Sequence, residues 1–267
     1  MNRDFLSAIV ARKREEVAKI RAAVDLQALR SRALRLRESR APHHLRAALA
    51  AASPAVKIIA EFKRKSPSRG TIRSNLSAND VAAAYHRGGA CAISILTDKE
   101  YFGGSLDDLV SIRATTTLSI LRKDFLIDPM QIYEAAAAGA DAVLLIAAIL
   151  DDARLEQMRM ITEDELGLDA LIEAHTAEEL CRAADAGAQL IGINNRDLQT
   201  FEVSLGTSER LIAEAPPDAL MISESGLHNR EQLRRLQALG FRGFLIGETL
   251  MEADDPAAAL RNLLMEP

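Results

Sequence analysis

From residue 57 onward, short and continuously apolar runs alternate with longer amphipathic stretches. The runs are 57–62, 90–96, 118–121, 142–146, 170–172, 190–193, 220–222 and 243–246. Each is too short for a helix and is bounded by Gly, Pro, Ser or charge, the pattern of a strand buried on both faces. Helical periodicity fills 78–87, 129–138, 177–186 and 228–239. Gly89-Ala90, Gly139-Ala140, Gly187-Ala188 and Gly240-Phe241 each pair a helix-ending glycine with the start of the next run. Asp80 and Asp128-Pro129 are expected helix starts. Strand–helix units spaced by roughly 20 to 35 residues match a (β/α)8 barrel. The runner-up is a doubly wound open sheet, although no GxGxxG follows the first run. No linker divides the chain, so one barrel domain over 1–267 is expected.

Residues 1–50 read as a helical extension packed on that barrel. Phe5, Ile9, Val17 and Ile20 fall near helical spacing, Arg12 to Glu16 make a charged face, and Leu26, Leu29, Leu34 and Leu36 make a second helix before Pro42. The arginine-rich stretch 30–40 reads as a solvated face. These helices are expected to cap the barrel and add to its mouth.

A barrel of this kind carries its chemistry at the C-terminal strand ends. Strand alternation puts Ile59, Glu61 and Lys63 on one face of the first run. Later ends carry Arg122-Lys123-Asp124-Phe125, Glu173, Asn194-Asn195-Arg196-Asp197, Ser223-Glu224-Ser225-Gly226 and Gly247-Glu248-Thr249. One charge after a strand says little, but these ends would all converge on one mouth. Ser225-Gly226 and Gly247-Glu248 fit a site where backbone N–H groups hold a phosphate, with the Glu248 carboxylate pointing away. Two tight-turn glycines are the structural alternative.

Charge and composition narrow the partners. A net charge of -5 argues against nucleic acid, and 48% hydrophobic with 27% charged residues fits a large core. Cys91 and Cys181 lack metal or redox spacing and read as buried free thiols of a reducing cytosol. The N-terminus is charged from Arg3, and the most apolar stretch, 135–150, is interrupted by Gly139 and Asp141. A membrane partner is therefore not expected. Nothing in the chain demands more than a monomer.

The chain resembles the indole-3-glycerol phosphate synthase family over nearly its whole length. The motifs are Ile59-Ala60-Glu61-Phe62-Lys63-Arg64-Lys65-Ser66-Pro67-Ser68, Leu96-Thr97-Asp98, Tyr101-Phe102-Gly103-Gly104-Ser105, Arg122-Lys123-Asp124-Phe125, Ile193-Asn194-Asn195-Arg196-Asp197-Leu198 and Ser223-Glu224-Ser225-Gly226. The resemblance implies ring closure, decarboxylation and dehydration of 1-(2-carboxyphenylamino)-1-deoxyribulose 5-phosphate, without metal or organic cofactor. It implies Lys123 as the acid that protonates the carbonyl and Lys63 as an acid or carboxylate-binding group. Glu173 falls near the anilino nitrogen, and Glu61 takes a proton during dehydration. Asn194 and Ser225 orient substrate and side chains, with Arg196 and Glu224 as a supporting polar shell. Phe102, Phe125 and Leu198 line the anthranilate pocket. Ser66, Gly226, Gly247 and Glu248 form the phosphate site. Thr249 stands where the family often has Ser, and with no Trp the aromatic wall falls to Phe and Tyr. A different phosphate-binding barrel or a non-catalytic interaction module are the competing readings. Neighbouring lysines lower each other's pKa while carboxylates oppose this, so the net shift at Lys123 stays open at this level.

Overall fold

The computed structural model describes residues 5–52, 55–73, 76–198 and 200–265. Eight parallel strands close on one another: β1 (Ile58–Phe62), β2 (Ala92–Leu96), β3 (Ser119–Lys123), β4 (Ala142–Ile146), β5 (Asp169–Ala174), β6 (Leu190–Asn194), β7 (Leu220–Glu224) and β8 (Gly243–Ile246). Every strand pairs with its sequence neighbours, and β1 closes the barrel by pairing Ala60 with both Ile246 of β8 and Ile93 of β2. The (β/α)8 barrel is thus the fold.

Four strands run further toward their C-terminal ends than the apolar pattern does. Hydropathy stops at the first polar residue, but the hydrogen-bonded ladder continues through Lys123 opposite Leu96, Glu173 opposite Ile146, and Asn194 opposite Glu224. These polar residues are therefore the last rungs of a closed ladder, which holds them more rigidly than loops would. Alternation divides the core. Ile59, Leu121, Leu144, Leu171, Leu190, Ile222 and Leu245 fill the barrel interior. Ile58, Ala60, Phe62, Ile93, Ile95 and Val143 face the outer helices.

The N-terminal segment forms α1 (Phe5–Ala23), α2 (Leu26–Arg37) and α3 (His44–Ala50). Asp25 caps α2 by accepting from the N–H groups of Gln27 and Ala28, and Pro42 lies in the break before α3. Leu45 and Leu49 of α3 plug the N-terminal end of the barrel. A Cβ on Gly243 would stand 2.7 Å from a Leu49 methyl, so Leu49 packs directly over the start of β8. Phe5, Leu6 and Ile9 of α1 line the opposite, C-terminal mouth.

The structure corrects several expectations. The 30–40 stretch is not uniformly solvated. Arg37 is buried, donates to the carbonyls of Ala41, Leu166 and Gly167, and shares Asp141 with Arg40 and Arg113. Helix Ala78–Gly88 is entered from Ser77, with Asp80 inside its first turn, whereas Asp128 does cap helix Pro129–Ala138 and forms a capping box with Gln131. Cys91 is half-buried, and burial pushes its thiol up to about 12, but Cys181 is exposed. No described helix is long and apolar enough to cross a membrane.

Candidate functional site

Two adjoining lobes open at the C-terminal ends of the strands. Glu61, Lys63, Ser68, Lys123, Arg196 and Ser225 line both, forming a charged waist between them. One lobe is walled by Phe5, Leu6, Ile9, Phe102, Phe125, Leu198 and Phe201. Its Phe102 and Phe125 rings are 6.2 Å apart, and Phe5 packs edge-on against Tyr101 and Phe201. The other lobe is polar, with Gly226, Gly247, Glu248 and Thr249 beside Arg69 and His228.

The waist is a lattice of opposite charges. Lys63 Nζ lies 2.7 Å from Glu61 Oε1. Lys123 Nζ lies 3.3 Å from Glu173 Oε2 and 3.2 Å from Glu224 Oε2. Burial alone would lower the Lys123 pKa, but Glu224, Glu173 and Glu61 outweigh it and raise it well above the ordinary lysine value. Lys123 is therefore an ammonium with its proton in place, which settles the direction left open by the sequence. Burial likewise pushes Glu61 and Glu173 up. Lys63 and Lys123 overcome this at Glu61, and Lys123 with His175 overcomes it at Glu173, so both end below the usual carboxylate range. Glu224 goes the other way. Its burial, with Glu173 and Glu61 nearby, wins over Lys123, and its oxygens have no hydrogen-bond partner beyond that ionic contact.

Two glycines make room for these carboxylates. A Cβ on Gly192 of β6 would stand 2.1 Å from Glu224 Oε1, and one on Gly247 would stand 2.3 Å from Glu61 Oε1. Asn194 accepts the Arg196 N–H at 3.0 Å and hydrogen-bonds Glu173 through its amide.

In the polar lobe, Glu248 opens a short helix, Glu248–Met251. Its carboxylate is taken up by Arg69 (2.9 Å from Nε) with Arg196 3.6 Å away, which leaves it turned to the arginines. Ser225 and Gly226 both have positive φ, 68° and 74°, and a Cβ on Gly226 would strike Val203 at 2.4 Å. Ser66 is apart from this group. It lines the apolar lobe, 3.4 Å from the Ser68 hydroxyl, and Ser68 is the serine that reaches both lobes.

Several contributors lie outside the expected site residues. Lys13 of α1 is 2% exposed and pairs with Asp98 (2.9 Å) and Asp124 (3.0 Å), joining α1 to the residue after Lys123. Its spacing was a signal, because Lys13 sits four residues from both Ile9 and Val17 on the apolar face. Asn195 is buried. Its amide donates to Ser223 Oγ and to the carbonyls of Glu224 and Ser225, at 3.0 to 3.1 Å, holding the strained β7 turn. Phe5 was marked only by its helical spacing, and Phe201, Arg69 and His175 carry no local signature. Among the described residues no group of His, Cys, Asp or Glu is arranged to hold a metal ion.

The indole-3-glycerol phosphate synthase family model matches residues 6–263. The indole-3-glycerol phosphate synthase of Albidiferax ferrireducens is 47% identical over 265 residues, covering 97% of this chain and 98% of that protein. That of Carboxydothermus hydrogenoformans is 46% identical, covering 97% and 99%. Among solved structures, a thiamine phosphate pyrophosphorylase from Pyrococcus furiosus aligns over 78% of this chain and 93% of its own, with a TM-score of 0.58 at 18% identity, a likeness of fold alone.

Proposed function

This chain belongs to the indole-3-glycerol phosphate synthase family, and from that premise we propose how its residues carry the reaction. The chain is a carboxy-lyase of tryptophan biosynthesis that forms indole-3-glycerol phosphate from a phosphorylated substrate. The observation that carries the residue roles is the waist of two lysines and three glutamates between an apolar and a polar lobe. It suits a substrate with an aromatic acid at one end and a phosphate at the other.

The anthranilate ring lies among Phe102, Phe125 and Leu198. The phosphate meets the backbone N–H groups of Gly226, Gly247 and Glu248, with Ser68, which reaches the polar lobe, approaching from the loop after β1 where Ser66 was expected. The ring carbon bearing the carboxylate attacks the ketone carbon, and Lys123 gives its proton to the ketone oxygen as that bond forms. The bond to the carboxylate then breaks, carbon dioxide leaves, and its electron pair restores the ring. In the last step the hydroxyl departs as water with a proton from Lys63, and Glu61 takes the remaining proton. Glu173 faces the anilino nitrogen, while Asn194 and Ser225 orient substrate and Arg196 and Glu224 brace the polar side. All of these groups lie on one chain, so the reaction as proposed calls for no second copy. The unpaired Cys91 and Cys181 suit a reducing cytoplasm. The buried Lys13 tie supports treating 1–50 as part of one domain with the barrel.

The test is direct. Purified protein is mixed with the carboxyphenylamino-deoxyribulose phosphate in the presence of chelator, and indole fluorescence is followed. A rise is expected, and no rise in folded protein would overturn the reading. A second expectation concerns Gly192→Ala, whose new methyl displaces the Glu224 carboxylate and with it the Lys123 ammonium. Turnover should fall on the order of 100-fold with an unchanged far-ultraviolet spectrum. Wild-type turnover in that variant would remove Glu224 from the site.

A further inference from the structure

We propose that His175, clamped between Glu179 and Glu173, is a positioning residue for the reaction. The inference rests on the role of Glu173 above and deepens it.

His175 is the first residue beyond β5, and alternation turns its side chain to the same side as Glu173. The ring is almost enclosed, 12% exposed. Nδ1 lies 3.1 Å from Glu179 Oε2, and the His175 backbone N–H donates to that same oxygen at 2.7 Å. Nε2 faces Glu173 Oε1 at 3.4 Å, an ionic contact and not a hydrogen bond, and hydrogen-bonds no other described group. Glu179 is itself fixed in the first turn of helix Ala177–Asp185, where its N–H donates to the capping Thr176 hydroxyl. Glu173 is thus gripped on opposite oxygens, by Lys123 at Oε2 and by His175 at Oε1.

The two grips do different work. Lys123 gives up its proton during ring closure, and at that moment a 2%-exposed Glu173 loses its nearest cation. A second cation that does not react keeps Glu173 ionised and in place. The groups facing His175 favour that cation: Glu173 from its own strand, Glu179 from the helix and Glu224 from β7, with Lys123 on the far side of Glu173. Burial lowers the imidazole pKa, but these carboxylates outweigh it and raise it above the ordinary value. The shift favours the imidazolium, which is lost as pH rises through that raised value.

The test compares His175→Ala, His175→Gln and Glu179→Gln with wild type, measuring kcat and KM from pH 6 to 9.5 alongside thermal melting. His175→Ala should lose roughly 10- to 100-fold in kcat with KM within about threefold. His175→Gln keeps a hydrogen-bond donor and should recover part of that loss, with the alkaline fall in kcat abolished. Glu179→Gln removes one carboxylate facing the imidazole, so its alkaline limb should move to lower pH. If His175→Ala fails to fold, the other two variants carry the test. Wild-type kcat in folded variants, or a loss of kcat with unmoved pH profiles, would overturn the proposal. An inactive wild type would sink the reaction assignment and this inference with it, whereas an active wild type with unaffected variants sinks this inference alone.

Discussion

Lys123→Ala will abolish turnover and leave the barrel folded. Lys123 lies between Glu173 and Glu224, 3.3 and 3.2 Å from them, and is an ammonium whose proton is in place for the ketone oxygen. Loss of a positioned general acid costs roughly 100- to 10,000-fold, and here the charge that balances the waist goes with it. The fold should tolerate the change because Glu224 is already pushed toward its neutral form and takes up a proton when the lysine is gone. The sign is checkable. A carboxylate whose folded pKa is raised contributes stability at low pH that is lost as pH rises through the folded value. The variant's melting temperature should therefore fall with rising pH more steeply than that of wild type. Lys123→Arg separates charge from proton transfer, since a guanidinium holds the charge but does not release its proton near neutral pH. It should fold with wild-type pH dependence and remain inactive. Indole fluorescence and melting curves read both quantities, and turnover by a folded Lys123→Ala enzyme would remove Lys123 as the acid.

Lys13→Ala should be the most destabilising single change in α1, by about 3 to 5 kcal/mol, because it strands buried carboxylates. Lys13 and its partners Asp98 and Asp124 are each no more than 3% exposed. Asp124 keeps Arg122 at 3.2 Å and the Thr97 hydroxyl at 2.6 Å, whereas Asp98 loses its ion pair and is left with the Tyr101 N–H at 2.8 Å. Burial pushes the Asp124 carboxyl up, but Arg122 and Lys13 together hold it below the ordinary value. A depressed carboxylate contributes stability above its unfolded pKa that is lost as pH falls through the folded one. The gap between variant and wild type should therefore be widest near neutral pH and narrow in acid, as read by urea unfolding at pH 7 and pH 4. The change should also reach the site. Asp124 Oδ1 accepts the Phe125 N–H at 2.8 Å, and α1 carries Phe5, Leu6 and Ile9 into the apolar lobe. KM should rise more than kcat falls. A variant with wild-type stability at pH 7 would show that α1 is held by packing alone.

Much of this molecule was legible in one dimension because its rules are local. Strand and helix periods, capping residues and the length of each unit are properties of neighbouring residues, and eight such units admit a closed parallel barrel. Alternation alone put Glu61 and Lys63 on one face, and the polar residue ending each run marked the mouth. Lys13 was half visible, as a lysine in line with Ile9 and Val17, but its partners lie 85 and 111 residues away. The burial of Arg37 around Asp141, the space that Gly192 leaves for Glu224, and the Glu179–His175–Glu173 clamp had no local mark. The direction of the Lys123 shift belonged to the tertiary structure for the same reason. Coulomb energy depends on distance and on how much water is excluded, and the 3.2 and 3.3 Å separations to Glu224 and Glu173 exist only once β3, β5 and β7 share one closed mouth.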